Sequence, residues 1–388
     1  MKIEQIYDIV NTMTDEYLGD SIVVAEDLSN IVDIGQAFED AVGYDVVTKA
    51  LIDHVGRMVF VDRVYGGRAP SVLMDGWEFG SIMEKVSVAL PEAQENEAWE
   101  LNDGQSYDPN VYVKPNVTAK FFNDRITFDI QLSITTKQIK SAFSNVSQLN
   151  SFVSMLYTAV NNSATVKTDA LIMRTINNMI GETLYDEFPG GTYTGNGVKA
   201  VNLLYLYNHD TFGSDTSKYI TADEFRVSPD AIRHAVKVFK DYIDRIKVMS
   251  TLFNVGEQPR FTPEDRLHLV MLSEFANLAD VYLQSDTFNA QYTALPNAER
   301  TVYWQGSGVD YAFSSTSKVY ITTSSGHTVE ASGILAVMFD RDCLGVANID
   351  RYVTSQYNAK GDFTNNFYHY TEGLFNDLNE NFVVFYIA

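Results

Sequence analysis

The side chains that could do chemistry in this chain are few and scattered. The six histidines are His54, His209, His234, His268, His327 and His369. A metal centre needs donors clustered at fixed spacing, as when one helical turn brings two imidazoles of a His-Glu-x-x-His motif to one face. No histidine here has a second histidine four positions on. His54 and His234 fall on helical patterns without an acidic partner motif, and His268 interrupts an apolar strand. All six read as structural, hydrogen-bonded imidazoles. Asn208-His209-Asp210 with Ser214 holds the residue types of a nucleophilic triad. A triad is defined by spatial roles, though, and no G-x-S-x-G elbow exposes a serine.

Gly195-x-Gly197 and Gly306-Ser307-Gly308 are too short to cradle a phosphate, and no G-x-x-x-x-G-K-[ST] or G-x-G-x-x-G run accompanies them. They read as turns. Asp223-Glu224 and Glu264-Asp265 read as first-turn helix acids, where a carboxylate meets the positive end of the helix. Thr262-Pro263 ahead of the second pair fits a capping threonine. Acids near Trp77, Trp99 or Trp304 leave open a sugar site. The single cysteine, Cys343, cannot form an intrachain disulfide or a Cys-rich zinc site and reads as a small buried apolar residue. No catalytic, cofactor-binding or metal-ligating residue is assigned, no cofactor is expected, and the chain reads as a protein other than an enzyme.

Composition narrows the classes further. The 388 residues are 45% hydrophobic and 13% aromatic, which excludes a disordered chain and provides core for two to three lobes. The formal charge is −23, from 51 acidic against 28 basic side chains. A nucleic-acid reader needs a basic footprint to displace counterions from phosphates, and this chain repels DNA on average. If many copies assemble, contact area, counterions or partners must overcome that repulsion. Met1 to Asp20 is acidic from Glu4 onward and lacks the apolar core of a secretory signal. No run approaches the roughly 18–20 apolar residues of a membrane span. The expectation is a soluble chain made in the cytoplasm.

The elements that must hold these residues have clearer signatures. Ile126, Phe128, Ile130, Leu132 and Ile134 alternate with polar residues, predicting a half-buried strand. A short helix is expected over 136–143. A long one follows, with Ser147 as its cap, a stripe at Leu149, Phe152, Val153, Leu156 and Val160, weakening at Asn161-Asn162-Ser163, and Gly181 as its end. Residues 44–58 read as a helix, 59–65 and 81–90 as strands with turns at 65–67 and 75–76 between them, and 1–38 as an arm with one short helix. Glu92 to Asn110 has six acids and no Lys or Arg, and reads as an excursion from the body or a solvated loop. Beyond glycine turns near 190–197, Val201–Tyr207, Leu267–Leu272, Val302–Trp304, Val319–Thr323 and Ile334–Phe339 are strand candidates. Ser228-Pro229-Asp230 starts an amphipathic helix, and Ser273 caps another reaching Leu283. Asn366–Tyr370 and the unalternating Phe382–Ile387 complete the chain, the latter suited to burial on both faces.

Four stretches resemble the major capsid proteins of tailed double-stranded DNA phages with the Hong Kong 97-like fold, closest to short-tailed, protein-primed phages. They are VTKALIDHVGRMVFV at 47–61, the region 116–162 from NVTAKFF through LSITTKQIKSAFSNVSQLNSFVSMLYTAVNN, EDRLHLVMLSEFANL at 264–278, and AVMFDRDCLGVANIDRYVTSQYNAKGDFTNNFYHY at 336–370. They cover well under half of the chain, in a consistent order, and no single motif is diagnostic. The resemblance implies an α+β fold with an N-terminal arm at 1–37, peripheral-domain segments at 38–58 and 118–199 with a spine helix, an extended loop at 59–117, an axial domain at 200–340, and C-terminal strands at 341–388 returning to the peripheral sheet. No appended immunoglobulin-like domain is expected. The implied function is a head protein that assembles into pentamers and hexamers of an icosahedral or prolate shell around double-stranded DNA, without sequence-specific binding. Its implied partners are copies of itself, a scaffolding protein and a portal, and its place is the virion after synthesis in the bacterial host cytoplasm. A phage tail or tube component and, from another class, a carbohydrate-active protein are the alternatives.

Overall fold

The computed structural model describes residues 3–19, 23–42, 46, 72–74, 83–88, isolated positions between 90 and 112, 114–284, 298–305 and 316–388. The helix expected at 44–58 (apart from the helical Val46), the strand at 59–65, the turns at 65–67 and 75–76 and most of the acidic tract at 92–110 lie outside the described residues. So do His54, Trp77, Trp99 and Gly306 to Gly308.

Two helices open the chain, α1 (Ile3–Tyr17) and α2 (Ile31–Ala41), where the sequence pattern predicts one short helix. Ile6, Ile9, Val10 and Met13 sit at helical spacing, and the intervening charges fall on other faces. That face, with Ile31, Ile34 and Phe38, packs into a core shared with Ile134, Leu149, Phe152 and Leu156. A two-residue strand, β1 (Leu73–Met74), precedes an antiparallel ribbon of β2 (Met83–Val88) and β3 (Val117–Phe122). The expected half-buried strand follows as β4 (Arg125–Thr135). Thr135 then caps α3 (Thr136–Ala142) through a reciprocal pairing with Gln138.

The long helix α4 runs from Val146 to Glu187, 42 residues, about 63 Å at 1.5 Å per residue. It departs from expectation at both ends. Asn145 is the cap, accepting from the Gln148 N–H at 2.9 Å, and Ser147 lies inside the helix. Gly181 does not end it. That glycine is a contact point, because a Cβ there would stand 2.7 Å from Thr323 Cγ2. Asn161-Asn162-Ser163 is helical throughout. The first half of α4 sits in the core with α1 and α2, and the second half, from Leu171 to Leu184, in a larger second core. One helix therefore joins the two.

The second core begins with β5 (Ala200–Asn202) and α5 (Leu203–Phe212), where the sequence pattern predicts a single strand. Asn202 turns the chain by accepting from the Tyr205 N–H at 3.1 Å. After α6 (Ala222–Val227), Ser228 caps α7 (Pro229–Ile246), as expected, and buries Ile232, Ala235, Val236, Phe239, Tyr242, Ile243 and Ile246. Then come β6 (Leu267–Leu272), α8 (Ser273–Gln284), β7 (Ala298–Thr301), β8 (Val319–Thr322), β9 (Thr328–Ala331), β10 (Ile334–Asp340), β11 (Leu344–Asn358), β12 (Phe363–Asn376) and β13 (Phe382–Tyr386). The strand expected at Val302–Trp304 lies earlier, at β7. Thr262 does not cap a helix. Its hydroxyl accepts from the Asn381 amide at 3.1 Å, and only a 3-10 turn follows at Glu264–Arg266.

Two larger sheets are present among the described residues, ordered β1-β11-β12-β4 and β5-β13-β10-β6-β7. The last strand is thus in the second sheet, between parallel β5 and antiparallel β10. The C-terminal strands expected to return together to the sheet of β4 divide: β11 and β12 join β4, and β13 does not. All five residues of β13 are buried, which suits the interior of a sheet covered on both faces. No helix among the described residues is long and apolar enough to cross a membrane.

Candidate assembly interface

The residues singled out for chemistry do not converge. Asn208 is buried and its side chain exchanges two hydrogen bonds with the Ile220 backbone, each 3.0 Å. His209 stacks on Tyr205 and its Nδ1 lies 2.9 Å from the Tyr205 carbonyl. Asp210 turns instead to His234 on α7, with 2.9 Å between Oδ2 and Nε2. This His–Asp pair was not legible in sequence, because its members stand 24 positions apart on two separate helices. Burial, and then the Arg341 charge, lower the pKa of His268. His327 stacks on Tyr185, and His369 Nε2 lies 2.9 Å from Thr354 Oγ1.

Thr221 and Glu224 form a capping box, as first-turn acids should. Glu264 pairs with Lys247 at 2.9 Å. Trp304 is fully buried and its indole N–H donates to the Ile334 carbonyl at 2.9 Å, so it offers no platform to a sugar. Cys343 is buried as expected, and burial holds its thiol pKa well above the ordinary range. Among the described residues no cluster of His, Cys, Asp and Glu could hold a metal ion.

The unusual chemistry is at the β2–β3 ribbon, which belongs to neither larger sheet. Alternation divides its residues into two faces. Lys85, Ser87, Thr118, Lys120 and Phe122 share the face toward the body. Lys85 Nζ lies 2.8 Å from Asp377 Oδ2 and 2.6 Å from Glu380 Oε1, and donates to the Asp342 carbonyl at 3.3 Å. Lys120 Nζ lies 3.0 Å from Asp377 Oδ1. Arg260 Nε reaches Glu380 Oε1 at 3.3 Å, and Phe122 packs on Phe375 with ring centres 5.6 Å apart. Burial acts to raise the Asp377 pKa, but the Lys85 hydrogen bond and charge, the Asn379 N–H and Lys120 outweigh it, and the net direction is down. Burial acts to lower the Lys85 pKa, yet hydrogen bonds and charges from Asp377 and Glu380 carry it above the ordinary value.

The other face of the ribbon points away from the body. Val86, Val88, Val117 and Phe121 are 59%, 56%, 55% and 64% exposed. A two-stranded ribbon is marginal in water unless something covers an apolar face. A second exposed apolar group, Val248, Met249, Leu252 and Phe261, sits on the loop after α7. Reciprocal 2.9 Å hydrogen bonds between Ser250 and Arg260 brace that loop. The alternation of β2 was legible in sequence, but the ion cluster was not, since its lysines and carboxylates are more than 250 residues apart.

Comparison with known proteins gives this geometry a context. A family model described as Phi29-like phage major capsid protein matches residues 6–386. No curated protein matches the chain. Among solved structures, a chain in the capsid of Staphylococcus phage Andhra is 10% identical, with a TM-score of 0.49 over 84% of this chain and 86% of that one. A chain in the structure of head fiber and inner core protein of native bacteriophage P68 is 11% identical, with a TM-score of 0.49 over 84% and 86%.

Proposed function

This chain belongs to the Phi29-like phage major capsid proteins, with an α+β fold of the Hong Kong 97-like type, and from that premise we propose how its copies close a phage head. Copies form pentamers and hexamers, and these close into an icosahedral or prolate shell around double-stranded DNA. The observation that carries the mechanism is the outward face of the β2–β3 ribbon, where four large apolar side chains are more than half exposed among the described residues. Exposed contiguous apolar surface marks an association site. A head-to-tail contact, in which the ribbon of one copy lies on the next, generates a ring when the rotation between copies closes, as fivefold and sixfold rotations do. Many such contacts, each modest, become stable together because closure makes the last ones effectively intramolecular.

The division of labour follows the layout expected from sequence. Residues 59–117 are the extended loop, which contains β2 and ends where β3 begins. Residues 118–199 hold the spine helix α4, and 200–340 form the axial lobe that meets its copies at capsomer centres. Residues 1–37 are the N-terminal arm, whose helix α1 and the start of α2 share a core with the first half of α4. A scaffolding protein and a portal are the further partners, synthesis is in the host cytoplasm, and the finished place is the virion. The tail component and the carbohydrate-active protein weighed from sequence give way to membership of a capsid family and to the burial of Trp304.

Electron microscopy of the expressed full chain, alone and with the products of its neighbouring genes, tests the proposal. Closed polyhedra of uniform diameter are expected. Stacked tubes, or monomers under every condition, would overturn it.

A further inference from the structure

Resting on that assembly role, we propose that Lys85, Lys120, Asp377, Glu380 and Arg260 form a lock that sets the angle of the ribbon on the free subunit, so that its apolar face is presented to a second copy before contact. Three features carry this beyond an ordinary ion pair. Among the described residues the ribbon pairs with no strand of either larger sheet, so what holds it to the body is the short passage from β3 through Asn123 and Asp124 into β4, where the Asp124 carbonyl accepts from the Leu374 N–H at 2.9 Å, together with the side chains at its root.

Lys85 and Lys120 stand directly opposite each other in the antiparallel register. Like charges in that position destabilise a strand pair. Asp377 removes the conflict by giving one carboxylate oxygen to each lysine, at 2.8 and 3.0 Å. Formation of the ribbon and its attachment to the body are therefore one event, because the anion that lets the strands pair belongs to the body.

The carboxylates are also built into the body. The Asp377 side chain is 2% exposed, its backbone N–H donates to the Cys343 carbonyl at 2.7 Å, and its Oδ1 accepts from the Asn379 N–H at 3.1 Å. Glu380 is shared between Lys85 and Arg260, the latter on the loop that carries Val248, Met249, Leu252 and Phe261. The cluster thus holds both exposed apolar surfaces in one frame. Fixing a flexible segment in its bound orientation lowers the ordering cost of association.

Hydrogen exchange on the unassembled full chain, with particle yield measured in parallel, tests the lock. In Lys85→Gln/Lys120→Gln the amides of 83–88 and 117–122 are expected to exchange at least tenfold faster, with α4 and β10 unchanged, and yield of uniform particles should fall at least tenfold. Unchanged exchange in the ribbon overturns the proposal, and so does a loosened ribbon with wild-type yield. Should the double variant lose protection throughout the chain, Asp377→Asn is read by the same two criteria, since it keeps the side-chain size and one acceptor oxygen. Wild-type chain that forms no particle in any condition would count against the shell function, while ribbon exchange would still decide whether the lock exists.

Discussion

Gly181 shows how much one missing side chain can decide. It lies in the buried half of α4, and its hydrogen lets the β8–β9 hairpin approach so closely that a Cβ would stand 2.7 Å from Thr323 Cγ2 and 3.1 Å from Ile321 Cγ2. Both neighbours are β-branched and cannot swing aside freely. Gly181→Leu is therefore expected to cost at least the ~1–3 kcal/mol typical of overpacking, despite leucine's better helix propensity, and urea unfolding measures it. Asp377 yields a second expectation. Its pKa is lower in the folded chain than its ordinary 3.8, so its contribution is present above that value and is lost as pH falls through the lower folded value. The groups around it are Lys85 and Lys120 from the ribbon, with Glu380, Arg260, Asp342 and the Asn379 N–H from the body. An acid titration of ribbon exchange should show loosening below about pH 4, and this acid step should be absent in Asp377→Asn. Neither residue was legible beforehand. A glycine in a helical pattern is an ordinary stop signal, and only the hairpin packed against it reverses that meaning. The ion cluster is made by contacts across most of the chain.

Elements were legible where one period dominated. The alternation of β4 and the Ser-Pro-Asp start of α7 each point to one structure, and the unbroken apolar runs of β10 and β13 are decided by their short length and their β-branched and aromatic residues; each formed as expected. The strand expected at 201–207 holds only to Asn202, because Leu-Leu-Tyr-Leu-Tyr suits a buried strand or a buried helix equally, and the hydrogen bond from the Tyr205 N–H to the Asn202 side chain selects the helix. The ribbon is the element where structure and function part. Its inner face is fixed to the body, and the large apolar side chains of its outer face are more than half exposed. Phe121→Ser should leave subunit stability within about ±0.5 kcal/mol, as exposed substitutions do, while slowing assembly. Sedimentation of the subunit and its products measures the second effect, and thermal unfolding the first. A large loss of subunit stability would mean that the outer face is covered within the subunit.

At the scale of the whole molecule, a charge of −23 opposes every contact between copies. The exposed acids act through solvent over a screening length of about 30 Å at 0.01 M salt and about 10 Å at 0.1 M. The carboxylates of the lock are largely buried beneath the ribbon and its cations partly so, which weakens screening by salt, and α4 is held by two apolar cores. Salt should therefore act on the two levels unequally. Raising it from 0.01 to 0.3 M should speed assembly at least tenfold by light scattering, while the unfolding midpoint of the dilute subunit changes little. Divalent cations should reach the same rate at lower concentration, because they screen more strongly per ion. Assembly independent of salt would mean that facing surfaces carry little net charge and that the acids lie away from the contacts. A subunit midpoint that moved in step with assembly would place the electrostatic control inside the fold, in the ion cluster, rather than between copies.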